Sequence, residues 1–270
     1  MRLNFSNIIS TFGFIFLYIP IIILIVFSFN SSSLITVWKD FSFIWYEKLW
    51  QDKEIIAAFF TSFKVASLAA TGAVIVGTLA GVALQRIGSF KGRSIFSILL
   101  PIPLVVPEVV IGFAVSLVFL TLSKLTNFPA KFGLETVVIA HMVIGVTYVA
   151  LMTQAKLAEL DPSYEEAALD LGASPIKVLF LITIPLIAPA LVSGWLLCFT
   201  ISLDDLIIAS FTAGSGVVTL PMLIYSRIRF GISPVINALA TVIVMMVLLI
   251  TILVLCINLT KKNNYFEKRS

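Results

Sequence analysis

Long apolar runs separated by short polar segments dominate this sequence, and the runs predict its secondary structure. A helix needs roughly 20 apolar residues to cross the hydrocarbon core of a membrane. The runs are continuously apolar and do not alternate with a period of two, so we expect helices and not a β-barrel. Six runs are long enough, at approximately residues 8–28, 60–84, 95–122, 134–153, 187–212 and 236–259.

The composition supports a membrane location. Hydrophobic residues make up 60% and charged residues 12% of the 270 residues, and the mean hydropathy is +1.10. A soluble domain carries about 25% charged residues. The sequence therefore predicts an all-α integral membrane protein, a single domain of six transmembrane helices over residues 1–270 in contact with lipid. The first run is too long for a signal peptide and lacks a small-residue cleavage site, so we interpret it as a span.

Basic residues indicate the orientation, because cytoplasmic loops are enriched in lysine and arginine. They cluster after the second run and in the C-terminal tail, at Arg86, Lys91, Arg93, Lys261, Lys262, Lys268 and Arg269. We expect both termini to lie in the cytoplasm. The formal net charge of +4 follows from this topology, and no nucleic-acid partner is predicted. Both cysteines lie in spans, so neither a disulfide nor a metal site is predicted.

One polar stretch, between the fourth and fifth runs, carries clear helix start and stop residues. Asp161 or Ser163 is a suitable N-cap, and Pro162 suits the first turn of a helix. Gly172 is the residue type that ends a helix in the left-handed conformation. A second helix follows it, so we predict a helix pair over residues 162–184 on the cytoplasmic side. Two prolines, Pro185 and Pro189, are expected to end the pair and to bend the chain into the fifth span.

The first helix of this pair has an acidic start and a small-residue side. Glu165, Glu166 and Asp170 are acidic, whereas Ala167 and Ala168 leave room for a close partner. Helices that lie in the membrane interface usually have a basic polar face. A docking role is therefore favoured over an ordinary interfacial loop.

The spacing in this stretch resembles the sequence motif of the permease subunits of bacterial ABC importers. Glu166-Ala167-Ala168 is followed after three residues by Gly172 and after nine more by Ile182, and Ile184-Pro185 follows with isoleucine where the family has leucine. In that family the helix pair docks into a groove of a cytoplasmic ATPase. The resemblance implies a coupling role for the residues in and beside the motif, namely Glu165, Glu166, Ala167, Ala168, Gly172 and Pro185.

Other stretches are similar to polyamine importer permeases of the putrescine and spermidine/putrescine systems. They include PLVVPEVVIG at 103–112, SGWLLCFTISLDDLIIASF at 193–211 and TLPMLIYSRIRFGISPVINALAT at 219–241. The resemblance implies an inner-membrane permease that imports putrescine by alternating access. It also implies three partners: a second permease, a dimer of ATPase subunits and an external polyamine-binding protein.

The sequence has no G-x-x-x-x-G-K-[ST] phosphate-binding loop. We therefore expect that the chain is not an enzyme and holds no cofactor. ATP would be bound by the partner subunits.

Three acids, Glu108, Asp204 and Asp205, fall within the apolar runs. A charged side chain at the centre of a span costs about 2.5–3.5 kcal/mol on insertion scales, so each acid is a candidate for the substrate pathway. The adjacent aspartates are about 100° apart on a helix. We expect one to face the pathway and the other to bind a helix end or a basic group, with Asp205 favoured for the pathway. Glu108 follows three prolines, which predict a bent helix and a possible gate.

Two aromatic residues of the fifth run, Trp195 and Phe199, complete the predicted pathway. An ammonium group over an aromatic face gains about 0.5–2 kcal/mol, which suits a diamine. The alternative is that both residues only pack against other helices. His141, the single histidine, is expected to be a polar packing residue between helices.

Three other functions compete with this interpretation. An importer of another solute, such as ferric iron, thiamine or sulfate, is the first, although acids within the membrane would repel sulfate. A stand-alone secondary transporter is the second, and it predicts an inverted repeat that we do not find in the sequence. A membrane enzyme is the third, and the sequence has no constellation of nucleophile, base and metal ligands for it.

Overall fold

The computed structural model of the chain consists of α-helices joined by short turns. It describes the backbone of residues 5–34, 37–231 and 233–267, and the side chains of residues 9–34, 37–231, 233–249, 251 and 252. The α-helices are α1 (Phe5–Ser28), α2 (Ile44–Gln51), α3 (Lys53–Arg86), α4 (Arg93–Leu99), α5 (Glu108–Thr126), α6 (Leu134–Glu159), α7 (Ser163–Asp170), α8 (Pro175–Val178), α9 (Ile184–Asp204), α10 (Ile207–Thr212), α11 (Leu220–Phe230) and α12 (Pro234–Glu267).

The chain forms two compact units, and the first comprises residues 1–56 and 224–270. Within it, α12 packs on α1 and α2. Asn30 orders the connection between α1 and α2, because its Nδ2 donates a hydrogen bond to the carbonyl of Val37 at 2.8 Å. The carbonyl of Asn30 accepts a second hydrogen bond from Trp45 Nε1 at 2.6 Å. These bonds fix the start of α2 in this unit.

The second unit comprises residues 57–223, and close packing of α3 against α6 forms part of its core. Gly77 and Gly81 lie one turn apart on α3. A Cβ atom added at Gly81 would lie 2.6 Å from Cβ of Thr153 and 2.8 Å from the carbonyl oxygen of Ala150. Small residues at this spacing let helix backbones approach closely, which is how helices associate where lipid removes the hydrophobic driving force.

The third predicted span, 95–122, is interrupted in the structure. It divides into α4, a short 3₁₀ turn at Ile102–Leu104, and α5. Three prolines lie between the two helices, and each removes a backbone donor. A carbonyl freed at the end of α4, that of Leu100, accepts a hydrogen bond from Thr147 Oγ1 of α6 at 2.9 Å. The bend expected from the prolines is therefore a full break, whose exposed backbone is partly satisfied by a neighbouring helix.

The fifth predicted span, 187–212, also differs from the structure. Helical backbone begins at Pro175, passes through a π-helical turn at Leu179–Thr183 and continues through α9. The prediction that Pro185 ends the helix pair is wrong: this proline lies in the first turn of α9. A proline clashes with the carbonyl four residues before it, and the wider π turn just before Pro185 accommodates that clash.

The all-α membrane fold is confirmed. Five helical segments of the described chain are long and apolar enough to cross a membrane: Ile9–Ser28, Lys53–Arg86, Glu108–Thr126, Leu134–Glu159 and Pro175–Asp204. The sixth predicted span, 236–259, lies in α12. Part of that span, including Cys256, falls outside the residues whose side chains are described.

Candidate functional site

The helix pair α7–α8 begins and turns at the residues that the sequence singled out. Asp161 Oδ1 accepts a hydrogen bond from the backbone N–H of Ser163, the first residue of α7, at 2.9 Å. Asp161 and not Ser163 is thus the residue that receives a donor at the helix start, and this bond lowers the pKa of the Asp161 carboxyl. Gly172 has φ +86°, a left-handed conformation that glycine adopts without a Cβ penalty.

The two adjacent glutamates of α7 point in different directions. Glu166 is exposed. Glu165 is turned inward: its Oε2 lies 2.7 Å from Arg86 Nε at the end of α3, and only 16% of its side chain is exposed. Thr183 Oγ1 donates a hydrogen bond to Glu165 Oε1 at 2.6 Å. The structure therefore separates two residues that the sequence had grouped together as coupling residues.

The outer side of the helix pair is open. Glu166 and Ala167 are exposed, and Ala168 is half-buried. On the inner side lies a cavity of about 590 Å³ between the end of α3 and the pair. Arg86, Glu165 and Glu166 line this cavity together with apolar side chains of α7 and α8. The exposed Glu166 and Ala167 are thus available to a partner, while Pro185, exposed on α9, lies outside the pair.

The aspartate pair is divided in the opposite sense to the prediction. Asp205 is the buried member, and its Oδ1 accepts a hydrogen bond from the N–H of Ala209 in α10 at 2.8 Å. The same oxygen lies 3.3 Å from His141 Nε2, with side-chain exposures of 7% for Asp205 and 2% for His141. Ser202 Oγ lies 2.6 Å from His141 Nδ1 on the other side of the ring. Asp205 thus binds a helix end and lies beside the imidazole of His141, whose Nε2 makes no hydrogen bond to the described residues, and Asp204 is exposed.

Helix α10 packs against α5 just beyond this aspartate pair. A Cβ atom at Gly112 would lie 3.3 Å from Cα of Ile208 and 2.9 Å from the ring of Phe211. One turn further along α5, Ser116 Oγ donates a hydrogen bond to the carbonyl of Phe211 at 2.8 Å. Contacts that advance along both helices together show that α5 and α10 run in the same direction.

Two helix interruptions carry exposed acids. Glu108, the exposed first residue of α5, precedes Gly112 by one turn, about 6 Å of helix. Asp204, the last residue of α9, precedes Ile208 by the same number of residues. The end of a helix also carries a partial negative charge. Asp204 and the end of α9 therefore both attract a cation at the break between α9 and α10.

The aromatic pair does not join these acids. The rings of Trp195 and Phe199 stack with centroids 5.2 Å apart and an interplanar angle of 12°. Trp195 Nε1 donates a hydrogen bond to Thr71 Oγ1 of α3 at 3.0 Å, and Phe63 of α3 meets Phe199 edge-on at 5.4 Å. Phe199 and Asp204 are five positions apart and so about 140° apart around the helix. The packing interpretation of these aromatic residues is favoured.

Sequence reasoning missed the partners of the inward-facing acids. From the sequence, Arg86 indicates only the topology, and nothing in the local pattern singles out Thr183 or Ser202. His141 was correctly expected to be a packed polar residue, but its pairing with Asp205 was not foreseen. The single histidine of this apolar chain was a candidate partner for one of the acids within the spans, because a buried acid needs a polar partner.

An arginine–carboxylate pair in the first unit gives a prediction for stability. Arg227 Nη1 lies 2.6 Å from Asp52 Oδ2 and Nη2 lies 3.1 Å from Oδ1. The hydrogen bond from Arg227 is the main cause that lowers the pKa of Asp52 below its ordinary 3.8, against the opposing effect of burial. A lowered folded-state pKa means that this stabilisation is complete above the ordinary value and is lost as the pH falls through the folded value.

We expect the replacement Asp52→Asn to lower the melting temperature of the detergent-solubilised protein at about pH 5. The effect should be smaller at about pH 3, because the carboxyl of the unfolded chain binds a proton below its ordinary pKa of 3.8. Differential scanning fluorimetry of both proteins measures this difference. Glu54→Gln is the control, because Glu54 contacts the same arginine but is 76% exposed and contributes little. An equal difference at both pH values would contradict the prediction.

The chain is similar to known transport proteins over most of its length. The family described as "Binding-protein-dependent transport system inner membrane component" matches residues 73–260. The putrescine transport system permease protein PotI of Escherichia coli K12 is 48% identical over 243 residues, which cover 90% of this chain and 86% of that protein. The spermidine/putrescine transport system permease protein PotC of Haemophilus influenzae is 40% identical over 250 residues, or 93% of this chain and 94% of that protein.

Solved structures share the fold. A chain of a bacterial ABC transporter involved in the import of the acidic polysaccharide alginate superimposes with a TM-score of 0.68 at 17% identity, covering 94% of both chains. A chain of the MetNI methionine ABC transporter in an inward facing conformation has a TM-score of 0.58 at 18% identity, covering 73% of this chain and 91% of that chain. At these identities the likeness concerns the fold alone.

Proposed function

Because the chain belongs to the family of binding-protein-dependent transport system inner membrane components, we propose that it is a permease subunit of an ATP-driven importer of putrescine. The similarity to PotI over 90% of the chain is the observation that carries the substrate. An importer of another cationic solute is the second candidate, since PotC carries spermidine in its name and is also similar over most of the chain.

The acids at the helix interruptions support a cationic substrate. Ionisable residues within membrane helices face protein or a wet cavity and not lipid. Asp204 and Glu108 are both exposed in this chain, so in the assembled transporter they would face the pathway or the second permease. Putrescine carries an ammonium group at each end of a four-carbon chain, and two separated carboxylates suit it. Weak attraction is sufficient, because a conducted solute must also leave.

The helix pair supports a partner that supplies energy. Glu166 and Ala167 form an exposed face on α7, and we propose that this face docks into an ATPase subunit. Helical backbone is continuous from α8 through the π turn into α9. Movement of the pair would therefore act directly on the helix that ends at Asp204, and alternating access would follow from that movement.

The remaining parts of the assembly complete the proposal. A second permease would share the pathway, two ATPase subunits would bind ATP, and an external binding protein would deliver the polyamine. The chain would lie in the inner membrane with both termini in the cytoplasm, as its basic residues indicate. The aromatic pair Trp195–Phe199 would stabilise α9 against α3 and would not bind the solute.

Uptake of radiolabelled putrescine tests this proposal. Cells that lack the chain are expected to lose high-affinity uptake and to recover it when the chain is supplied. Excess unlabelled spermidine measures the preference: weak competition supports putrescine, and strong competition supports the second candidate. Undiminished uptake of both polyamines in cells without the chain would contradict the proposal.

A further inference from the structure

Helix α7 is attached to the rest of the second unit by very few contacts of its own. All eight of its residues are described, and none of them is buried. Non-helical residues flank it on both sides, at 160–162 and at 171–174. A short helix with no buried side chain depends on specific contacts to hold its orientation.

Glu165 makes that contact, and it joins three elements. The carboxylate belongs to α7, Arg86 belongs to the end of α3, and Thr183 belongs to the π turn before α9. The two carboxylate oxygens lie 2.7 Å from Arg86 Nε and 2.6 Å from Thr183 Oγ1. The short bond from Thr183 is a charge-assisted hydrogen bond, which is among the stronger polar interactions in proteins, and the Arg86 contact is an ion pair in which Nε makes no hydrogen bond to the described residues.

The partners of Glu165 are themselves held in place. Arg86 has only 19% of its side chain exposed, and its Nη2 donates a hydrogen bond to the carbonyl of Leu160, just before α7, at 3.4 Å. Thr183 is 3% exposed and lies in a π turn, a type of turn that is frequent at functional sites. The contact therefore connects α7 to two helices that are long and apolar enough to cross the membrane.

We infer that Glu165 is a positioning residue that transmits the movement of the helix pair to α3 and α9, while its neighbour Glu166 makes the contact with the partner. The inference rests on the proposed function, because it assigns the transmission step of the same coupling site. If a docked ATPase pulls on α7, the Glu165 contact makes α3 and α9 follow. Without that contact, α7 is joined to α3 and α9 mainly through the backbone, and less of the movement is passed on.

The test uses the assembled transporter with its partner subunits in proteoliposomes, and putrescine as the probe. Glu165→Gln keeps the size of the side chain and an acceptor for Thr183 but removes the charge opposite Arg86. We expect the ATPase subunits to co-purify at the wild-type yield and ATP hydrolysis to continue. The putrescine imported per ATP hydrolysed is expected to fall about fivefold or more, a typical strength of coupling between linked sites.

Two further variants separate transmission from simple destabilisation. The double variant Arg86→Gln with Glu165→Gln leaves no unpaired charge. We expect it to import no less putrescine per ATP than Glu165→Gln alone, because the effects of substitutions at two residues in direct contact do not add. Glu159→Gln is the matched control, since Glu159 also pairs with a cation, Lys156, but is 69% exposed. We expect wild-type import per ATP from this control.

The outcomes are distinct. A wild-type ratio of import to hydrolysis in Glu165→Gln, or loss of the ATPase subunits from that variant, would overturn the inference. Losses that multiply in the double variant would also overturn it, because they would mean that the two residues act independently. Failure of the proposed function has a different result, since wild-type proteoliposomes would then import no putrescine on addition of ATP.

Discussion

Replacement of Asp204 by asparagine is expected to lower the initial rate of putrescine uptake by roughly tenfold to a hundredfold. A hydrogen bond to a charged group contributes about 1.5–3 kcal/mol, and each 1.4 kcal/mol corresponds to about a factor of ten. Asp204 is exposed at the end of α9, where its charge adds to that of the helix end. Uptake of labelled putrescine in cells, corrected for the amount of permease in the membrane, measures the effect.

The neighbouring residue provides the matched control. Asp205→Asn makes the same chemical change one position away, but it disturbs a side chain that is 7% exposed and lies 3.3 Å from His141. Disturbing a buried polar side chain that accepts a backbone hydrogen bond destabilises the fold, so we expect a smaller amount of folded permease in the membrane. Normal uptake with Asp204→Asn would contradict the pathway assigned to Asp204.

Replacement of Glu166 by arginine is expected to remove the ATPase subunits from the purified complex, and uptake with them. An acidic residue exposed on a docking helix implies a basic or hydrogen-bond-donating partner surface, and a like charge placed there costs several kcal/mol. Glu166 is exposed, so the substitution has little effect on the fold of this chain. Affinity purification through a tag on the permease, with quantification of the bound ATPase, measures the loss.

Glu159→Arg serves as the control for this change, because Glu159 ends α6 on an exposed surface outside α7. We expect it to retain the bound ATPase subunits. If Glu166→Arg retained them equally well, the outer face of α7 would not be the docking surface, and the role of the helix pair would have to be reassigned.

The continuity of some helices could be predicted from the sequence, because their apolar runs are long and lack interior prolines. Helix α6 begins at Leu134, where the fourth predicted run begins. The turn at Gly172 was equally readable, since a left-handed residue between two helix starts favours glycine. These features depend on neighbouring residues in the sequence, so the pattern of apolar runs, prolines and glycines predicts them.

The break after Asp204 had no such signal. No proline or glycine marks the residues between α9 and α10. Helix α10 begins at Ile207, and Asp205 accepts a hydrogen bond from the N–H of Ala209 in its first turn. The break in the third span differs from this one, because the prolines in that span predict an interruption of the helix. A helix interruption made by a side chain and a distant partner is a tertiary effect that propensity does not reveal.

The sequence also does not predict which acid of each adjacent pair is turned inward. Adjacent residues differ by about 100° around a helix, so one member of each pair must turn away from the other. Which member turns inward depends on Arg86 for Glu165 and on His141 for Asp205. Both partners lie far away in the sequence, and the helical pattern gives no information on such distant contacts.

The most direct test of the account is import by the purified transporter in proteoliposomes loaded with putrescine-free buffer. With the binding protein and putrescine on one side of the membrane and ATP on the other, we predict putrescine accumulation that requires ATP, this chain and the ATPase subunits. The same vesicles with an ion gradient and no ATP should accumulate none. Accumulation driven by the ion gradient in vesicles that hold this chain alone would contradict the account and would identify a secondary transporter.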